Sequence, residues 1–219
     1  MASLRTLPPR LDPIILNDLV EGFAGDLDAH AGVEGLRFSG IDLAGRDLSG
    51  ATVLECELLG VAAHEVAFRS ASFVETRIER LDAPVFRAPR SRLRDVTLES
   101  SRLGSAEFYE SSWQSVRVTG CKLGYLNLGG AVLDDVLFTD CTIDELDLSD
   151  ARATRVAFEG CRITSLRLTR ATLRDVDLRT VELQALVDAS GLRGATLDSR
   201  QVAQLADLFA AQLGIRVED

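Results

Sequence analysis

The chain has 219 residues and a formal net charge of −10, from 34 acidic against 24 basic residues. This length predicts one domain, and so acidic a chain is not expected to bind nucleic acid by bulk electrostatics. The sequence contains no apolar run long enough to span a membrane and no apolar segment typical of a signal peptide, so we expect a cytoplasmic protein.

Residues 1–35 precede any clear repeat, and we interpret them as an N-terminal cap. Asp12 and Pro13 have the pattern of a helix start, with an N-cap followed by proline at the first helical position. A short helix is therefore expected after Pro13. The cap should cover the first turn of the repeat that follows, because an open sheet edge exposes unpaired backbone groups.

From Phe38 to Leu183 an apolar residue recurs every five positions, thirty times without insertion. We call these the beat residues. A helix repeats every 3.6 residues and a strand every 2, so a five-residue period fits neither. It predicts one side of a solenoid.

A second period of twenty residues lies on top of the first. Two residues before each beat stands another candidate for the interior, and these residues recur in the same order along the chain. They read Val116, Cys121, Leu126, Ala131, then Val136, Cys141, Leu146, Ala151, then Val156, Cys161, Leu166, Ala171. The pattern predicts four sides of five residues in each coil, with like side chains stacked from coil to coil.

Segments such as Ala71-Ser72-Phe73, Ala131-Val132-Leu133 and Ala171-Thr172-Leu173 resemble the A-(D/N)-L-x-x unit of pentapeptide-repeat proteins. The resemblance implies an all-β fold, a right-handed quadrilateral parallel β-helix. We place this β-helix at residues 36–192, after the cap at 1–35 and before a C-terminal helix and tail at 193–219.

Four cysteines fall at inward positions, and three of them stack in one column about 4.8 Å apart, the spacing between strands. Buried reduced thiols are the favoured interpretation, although a disulfide or a thiolate metal site is within geometric reach. The four are Cys56, Cys121, Cys141 and Cys161. Trp113, the largest beat residue, is expected to fill the core. We predict no metal and no cofactor.

A helical period begins near residue 198, where Asp198 and Gln201 resemble a capping box, and Gly214 is a natural stop. The helix should plug the last coil. The resemblance to topoisomerase-acting pentapeptide-repeat proteins further implies a homodimer paired through this helix. The residues predicted at that interface are Val202, Leu205, Leu208, Phe209 and Leu213. A short strand could follow at residues 215–217.

The sequence gives little reason to expect an enzyme. Only two histidines are present, His30 and His64, and neither stands in a nucleophile–base grouping. The glycines at 124, 129 and 130 lack the Gly-Lys-Ser/Thr of a phosphate loop. We therefore predict no catalytic residue.

Acidic residues form an outward column two positions after a beat, and further acids are expected to thicken it. A solvated face and a binding surface are both consistent with such a stripe, although like charges across strands cost stability. The column reads Glu55, Glu75, Asp95, Ser115, Asp135, Arg155 and Asp175, so five of its seven residues are acidic, and the thickening acids are Asp134, Asp140, Asp144, Glu145, Asp147 and Asp150.

The chain is most similar in character to the topoisomerase-interacting fluoroquinolone-resistance members of the family, the Qnr-like and MfpA-like types. This resemblance implies a DNA mimic that binds DNA gyrase or topoisomerase IV and inhibits the enzyme or protects it from antibiotics. Unlike the plasmid-type members, this chain has no loop that interrupts the repeat. The alternative hypothesis is a non-catalytic interaction scaffold with an unrelated partner.

Overall fold

The computed structural model describes residues 5–218. Within that range the chain forms nineteen strands, two short α-helices and two 3-10 turns. The strands are β1 (Val20–Glu21), β2 (Gly32–Glu34), β3 (Leu36–Ser39), β4 (Thr52–Leu54), β5 (Glu57–Leu59), β6 (Val66–Ala67), β7 (Ser72–Glu79), β8 (Asp82–Arg87), β9 (Arg92–Glu99), β10 (Arg102–Glu107), β11 (Ser112–Thr119), β12 (Lys122–Asn127), β13 (Val132–Thr139), β14 (Thr142–Asp147), β15 (Arg152–Glu159), β16 (Arg162–Arg167), β17 (Thr172–Asp177), β18 (Glu182–Val187) and β19 (Ala195–Thr196). The helices are α1 (Ser199–Gln204) and α2 (Ala206–Gln212), and the turns are Ala24–Asp26 and Ala189–Leu192.

The strands stack in parallel with a register of twenty residues. Trp113 in β11 pairs with Leu93 on one side and Leu133 on the other. A twelve-stranded sheet follows the order β1-β3-β5-β7-β9-β11-β13-β15-β17-β19 with β2 and β4 beside it, and a seven-stranded sheet follows β18-β16-β14-β12-β10-β8-β6. The predicted parallel β-solenoid is confirmed, and it winds about nine turns.

Each coil has four sides, which we number from one example: side 1 is residues 131–135, side 2 is 136–140, side 3 is 141–145 and side 4 is 146–150. Other coils are offset by multiples of twenty. In this coil three corner residues, Asp135, Asp140 and Asp150, have φ of 58°, 52° and 58°. The left-handed conformation turns the chain at these corners, and Asp, like Gly, tolerates it better than most residues do.

The beat residues line the interior. Every one from Phe38 to Leu178 is buried, and Leu183 is half-buried. Phe138 stacks on Phe158 with ring centroids 4.7 Å apart, and Trp113 meets Phe108 edge-on at 5.0 Å. Core filling by Trp113, 2% exposed, is confirmed. The four cysteines are likewise buried and free.

The N-terminal region differs from expectation. No helix follows Pro13; residues 5–19 have no regular secondary structure and run along the outside of the solenoid, where side chains of the wall bond several of their backbone groups. A short isolated helix is marginal in water, and these contacts hold the segment against the wall instead. Strand β1 then pairs with β3 at an offset of sixteen residues, and the register of twenty begins at Gly32.

The C-terminal helices close the other end. Asp198 and Gln201 form the predicted capping box, and the chain leaves the helix before Gly214, whose φ is +71°. The side-chain amide of Gln201 also donates to the carbonyls of Leu178 (2.6 Å) and Val181 (3.0 Å) in the last full coil. The short strand expected at 215–217 does not form. Neither helix within residues 5–218 is long and apolar enough to cross a membrane.

Candidate protein-interaction surface

The acidic column lies along the corner between sides 1 and 2. Its members occupy equivalent positions in successive coils because the flanking residues pair at twenty-residue spacing. All of them have positive φ, which makes this corner a continuous line of left-handed residues. They are Glu55, Glu75, Asp95, Ser115, Asp135, Arg155 and Asp175.

An arginine neutralises the C-terminal part of this column. The Arg155 guanidinium contacts Asp135 Oδ1 at 2.6 Å and Asp134 Oδ1 at 2.5 Å, and its side chain is only 14% exposed. Burial acts to raise the pKa of Asp135, but hydrogen bonds from Arg155 and from the Arg10 backbone N–H outweigh it and lower that pKa. Asp134 and Asp135 are therefore part of a local ion-pair cluster.

Residues 5–19, which we call the N-terminal strap, lie over the same corner. The Leu7 N–H donates to Asp175 Oδ1 at 3.1 Å, and the Arg10 N–H donates to Asp135 Oδ1 at 2.8 Å. Arg117 donates to the carbonyls of Leu11 and Asp12, both at 2.9 Å. As the strap runs from Leu7 to Asp12 it therefore passes from later coils to earlier ones, opposite to the order in which the solenoid winds. The part of the column from Glu75 to Asp175 is half-buried or buried.

The remaining predicted acids do not thicken the column. They belong to a single coil, so they lie on different sides of it. Asp140 lies at the corner after side 2, Asp144 and Glu145 lie on side 3, and Asp147 and Asp150 lie on side 4. The expectation of one broad acidic stripe is wrong, because residues less than twenty apart cannot stack in a coil of twenty.

Two of these acids are matched by arginines one coil away. Asp150 contacts Arg170 at 2.6 Å, and Asp147 contacts Arg167 at 3.6 Å. By contrast, Asp140, Asp144 and Glu145 are exposed and make no salt bridge within the part of the chain that the structure describes.

Sequence reasoning missed a ladder of ion pairs between neighbouring coils. On side 2, the Glu57 carboxylate forms ion pairs with Arg37 Nε at 2.6 Å and with Arg77 Nη1 at 3.1 Å. Burial acts to raise the pKa of Glu57, but the two guanidinium groups outweigh it and lower that pKa. Opposite charges at a spacing of twenty residues are visible in the sequence and would have predicted these pairs. The others at this spacing are Arg90–Glu110, Asp135–Arg155, Asp147–Arg167, Asp150–Arg170 and Arg162–Glu182.

The five residues predicted at a dimer interface do not share one face. Leu205, Leu208 and Phe209 are half-buried and pack against the core. Val202 and Leu213 remain 45% and 74% exposed. The structure therefore divides the helical region into a plug and a smaller exposed apolar surface.

No grouping of His, Cys, Asp and Glu within residues 5–218 is arranged to hold a metal ion. His30 packs at the N-terminal end beside Gly50, where a Cβ would lie 2.4 Å from His30 Nδ1. His64 is exposed on side 3. The geometry brings neither histidine to a cysteine column or a carboxylate pair.

Comparison with known proteins adds structural neighbours. No family model and no curated protein sequence matches the chain. Trypsin-treated QnrB1, a plasmid-mediated fluoroquinolone resistance protein, is 18% identical over 87% of this chain and 91% of its own, with a TM-score of 0.43. Full-length QnrB1 is also 18% identical, over 86% of this chain and 94% of its own, with a TM-score of 0.32.

HetL, a pentapeptide-repeat protein involved in heterocyst differentiation regulation in Nostoc sp. strain PCC 7120, is 18% identical over 78% of this chain and 91% of its own, with a TM-score of 0.21. Pentapeptide-repeat proteins are thus among the structural neighbours of this chain. Its own fold class, a four-sided solenoid with five residues to a side, is established by the twenty-residue register of its strands.

Proposed function

We propose that this chain is a non-catalytic DNA mimic that binds a type II topoisomerase, DNA gyrase or topoisomerase IV, in the cytoplasm. An acidic side of the rod docks in the basic groove that the enzyme uses for DNA, and this occupancy inhibits the enzyme or protects it from gyrase-directed antibiotics. The choice of topoisomerase rests on the resemblance of the repeat units.

The excess of acid on side 3 is the observation that carries the proposal. Between residues 36 and 188, sides 1 and 2 each carry a net charge of −1 and side 4 is neutral, whereas side 3 carries −3. Of the predicted binding residues, Asp144 and Glu145 lie on this side and Asp140 borders it. Its acids are Asp42, Glu65, Asp82, Asp144, Glu145 and Glu182, against Arg102, Lys122 and Arg162.

The dimensions and stiffness of the rod support the same function. About nine turns at ~4.8 Å per turn give a rod of roughly 43 Å. At 3.4 Å per base pair this equals the length of roughly thirteen base pairs of duplex. Strand ladders fix the backbone that carries the acids of side 3, so little backbone entropy is lost when a partner docks.

Dimerisation completes the proposal. The exposed side chains Val202 and Leu213, near Ile215 and Val217, would form the contact between two copies, while Leu205, Leu208 and Phe209 continue to plug each solenoid. A twofold pair matches the twofold symmetry of a topoisomerase. Replacing Val202 and Leu213 by Ser should convert a dimer to a monomer in sedimentation equilibrium, with the thermal midpoint of the fold unchanged.

A supercoiling assay with purified gyrase, with and without a quinolone, tests the main proposal. The variant Asp144→Asn with Glu145→Gln should lose inhibition or protection, together with salt-sensitive binding. The matched control is Glu99→Gln with Glu159→Gln, which removes the same charge from side 2 and should retain activity. If the unaltered chain neither binds, inhibits nor protects at micromolar concentration, the proposal is wrong.

The pairing of the acidic column with arginine favours a second candidate function, an interaction scaffold with an unrelated partner. Arg155 interrupts the column, and ion pairs between coils reduce its likeness to an array of phosphates. A pull-down from host lysate separates the two functions. Recovery of topoisomerase subunits supports DNA mimicry, and a different partner in stoichiometric amount supports the scaffold.

A further inference from the structure

The N-terminal strap and the corner beneath it form a covered interaction surface. We infer that residues 5–19 are a detachable cover, and that the acidic column they leave behind on opening binds an extended basic segment of a partner protein. This inference does not depend on the partner being a topoisomerase.

The mode of attachment shows why the strap can open. The wall of the solenoid is held by backbone ladders, but the strap is held by side chains: Asp175, Asp135 and Arg117 bond its main chain, and Thr6 bonds Thr196 through their hydroxyls. Within residues 5–218, the first backbone–backbone bond from this end is from Val20 N–H to the Gly35 carbonyl. Segments bonded in this way open locally at a small fraction of the global unfolding free energy.

The strap also buries little apolar surface of its own. Leu7 is 49% exposed and Ile15 is 69% exposed, while Leu11, Ile14 and Leu16 are half-buried. Side chains left this open contribute only part of the hydrophobic stabilisation that burial provides. The strap is therefore ordered but lightly held.

In the described part of the chain, the closed state leaves two hydroxyl groups at and beside the column without hydrogen-bond partners. The hydroxyl oxygens of Ser115 and Thr97 are buried and have no hydrogen-bond partner among the described residues. Ser115 belongs to the column, on the path between the strap contacts to Asp135 and Arg117. A buried hydroxyl without a partner costs free energy, and opening of the strap would return Ser115 to water or to a partner's donor.

The chemistry of the resident segment defines the kind of partner. Asp135 and Asp175 accept main-chain N–H groups three residues apart, at Arg10 and Leu7, as an extended segment presents them. The neighbouring column residues Glu55, Glu75 and Asp95 make no such bond to the strap, and they offer negative charge along the same line. An extended segment with arginine or lysine side chains matches both features.

Full-length variants can open or lock the strap without altering the column. Leu7→Pro with Arg10→Pro removes both N–H donors, and Leu7→Ala with Arg10→Ala is the matched control that retains them. Thr6→Cys with Thr196→Cys, oxidised to a disulfide, fastens the tip of the strap. The native cysteines are buried, so the added pair can be oxidised selectively.

A fluorescent nona-arginine peptide at low salt is the probe, read by anisotropy. We expect the proline variant to bind it at least fivefold more tightly than the alanine control, and the oxidised variant to bind more weakly than its own reduced form. Adding Glu75→Gln, Asp95→Asn and Asp175→Asn to the proline variant should abolish the gain. Circular dichroism melting of each variant verifies the fold.

Two results would overturn the inference. Equal affinity of the proline and alanine variants would mean that the strap does not cover the binding surface. A gain that survives Glu75→Gln, Asp95→Asn and Asp175→Asn together would mean that the probe binds elsewhere. Because no topoisomerase enters the assay, failure of gyrase binding leaves this inference standing, and failure here leaves the side 3 proposal standing.

Discussion

The middle of the solenoid and its two ends are built on different principles. Between β7 and β16 each strand pairs with its neighbour twenty residues later, and buried side chains, nearly all of them apolar, stack on one another from coil to coil. At the ends the offsets change to sixteen for β1 and nineteen for β19. There, single side chains such as Arg46 and Gln201 reach backbone carbonyls instead. Repeated strand pairing and side-chain stacking stabilise the middle of the solenoid, whereas individual side-chain hydrogen bonds stabilise its ends.

The largest expected effect is a core truncation in the middle. Phe138→Ala removes a ring stacked between Trp113 and Phe158, and should lower the free energy of unfolding by about 3–5 kcal/mol. Leu208→Ala in the C-terminal plug removes a half-buried side chain and should cost about 1–2 kcal/mol. Urea denaturation of both variants measures the difference, and equal losses would contradict the contrast between middle and end.

Replacing a glycine by alanine should likewise destabilise the protein more in the middle of the solenoid than at its N-terminal end. A Cβ on Gly124 would lie 2.4 Å from the Gly104 carbonyl oxygen in the preceding coil, so the stacked backbones must separate. We expect Gly124→Ala to destabilise by about 1–3 kcal/mol, as overpacking does. Gly25→Ala at the N-terminal end, where nothing lies within 4 Å of the new Cβ, should change stability by about 0.5 kcal/mol or less. Thermal denaturation compares the two.

The middle could be predicted from sequence because its pattern is repeated many times. The period of five indicates the sides and the recurrence of Cys121, Cys141 and Cys161 indicates the coil, so register and core follow by counting. The acidic column follows in the same way. Its neutralisation was equally countable, since Asp135 and Arg155 stand twenty apart, but opposite charges at that spacing have to be looked for.

The ends could not be predicted by counting because their contacts occur once. Nothing near Leu7 or Arg10 indicates that their N–H groups meet carboxylates more than 120 residues away. The local pattern of Asp12 and Pro13 predicts a helix, and the wall overrides it. Gln201 is different, because its position after Asp198 already predicts a capping box, although not the second role of its amide.

Gln201 tests how much one side chain contributes to the C-terminal end. Gln201→Ala leaves the carbonyls of Leu178 and Val181 without this donor and breaks the capping box. We expect a loss of about 1–2 kcal/mol, with faster amide exchange in α1 and the last coil. Gln204→Ala, at an exposed position of the same helix, is the control and should change neither quantity. Equal amide-exchange rates in the two variants would mean that Gln201 does not stabilise the C-terminal end.

The smallest expected change in stability concerns Asp135, the residue at which the N-terminal strap contacts the middle of the solenoid. Its side chain accepts from the Arg155 guanidinium of the wall and from the Arg10 N–H of the strap, and its pKa is lowered in the fold. A carboxyl with a lowered folded pKa stabilises the protein above its unfolded pKa of about 3.9, and that contribution is lost as pH falls through the folded pKa. Asp135→Asn should therefore cost about 1 kcal/mol at pH 7 and flatten the decline of stability below about pH 4.

Amide exchange of the strap separates the two partners of Asp135. If the carboxylate holds the strap as well as the wall, Asp135→Asn should speed exchange at Arg10 and Leu11 at pH 7, while exchange in β13 and β15 stays slow. Asp144→Asn, which removes an exposed carboxylate from side 3, should alter neither the acid decline nor the strap. A faster exchange confined to β13 and β15 would mean that Asp135 serves the wall alone, and that the strap is held by Asp175 and Arg117.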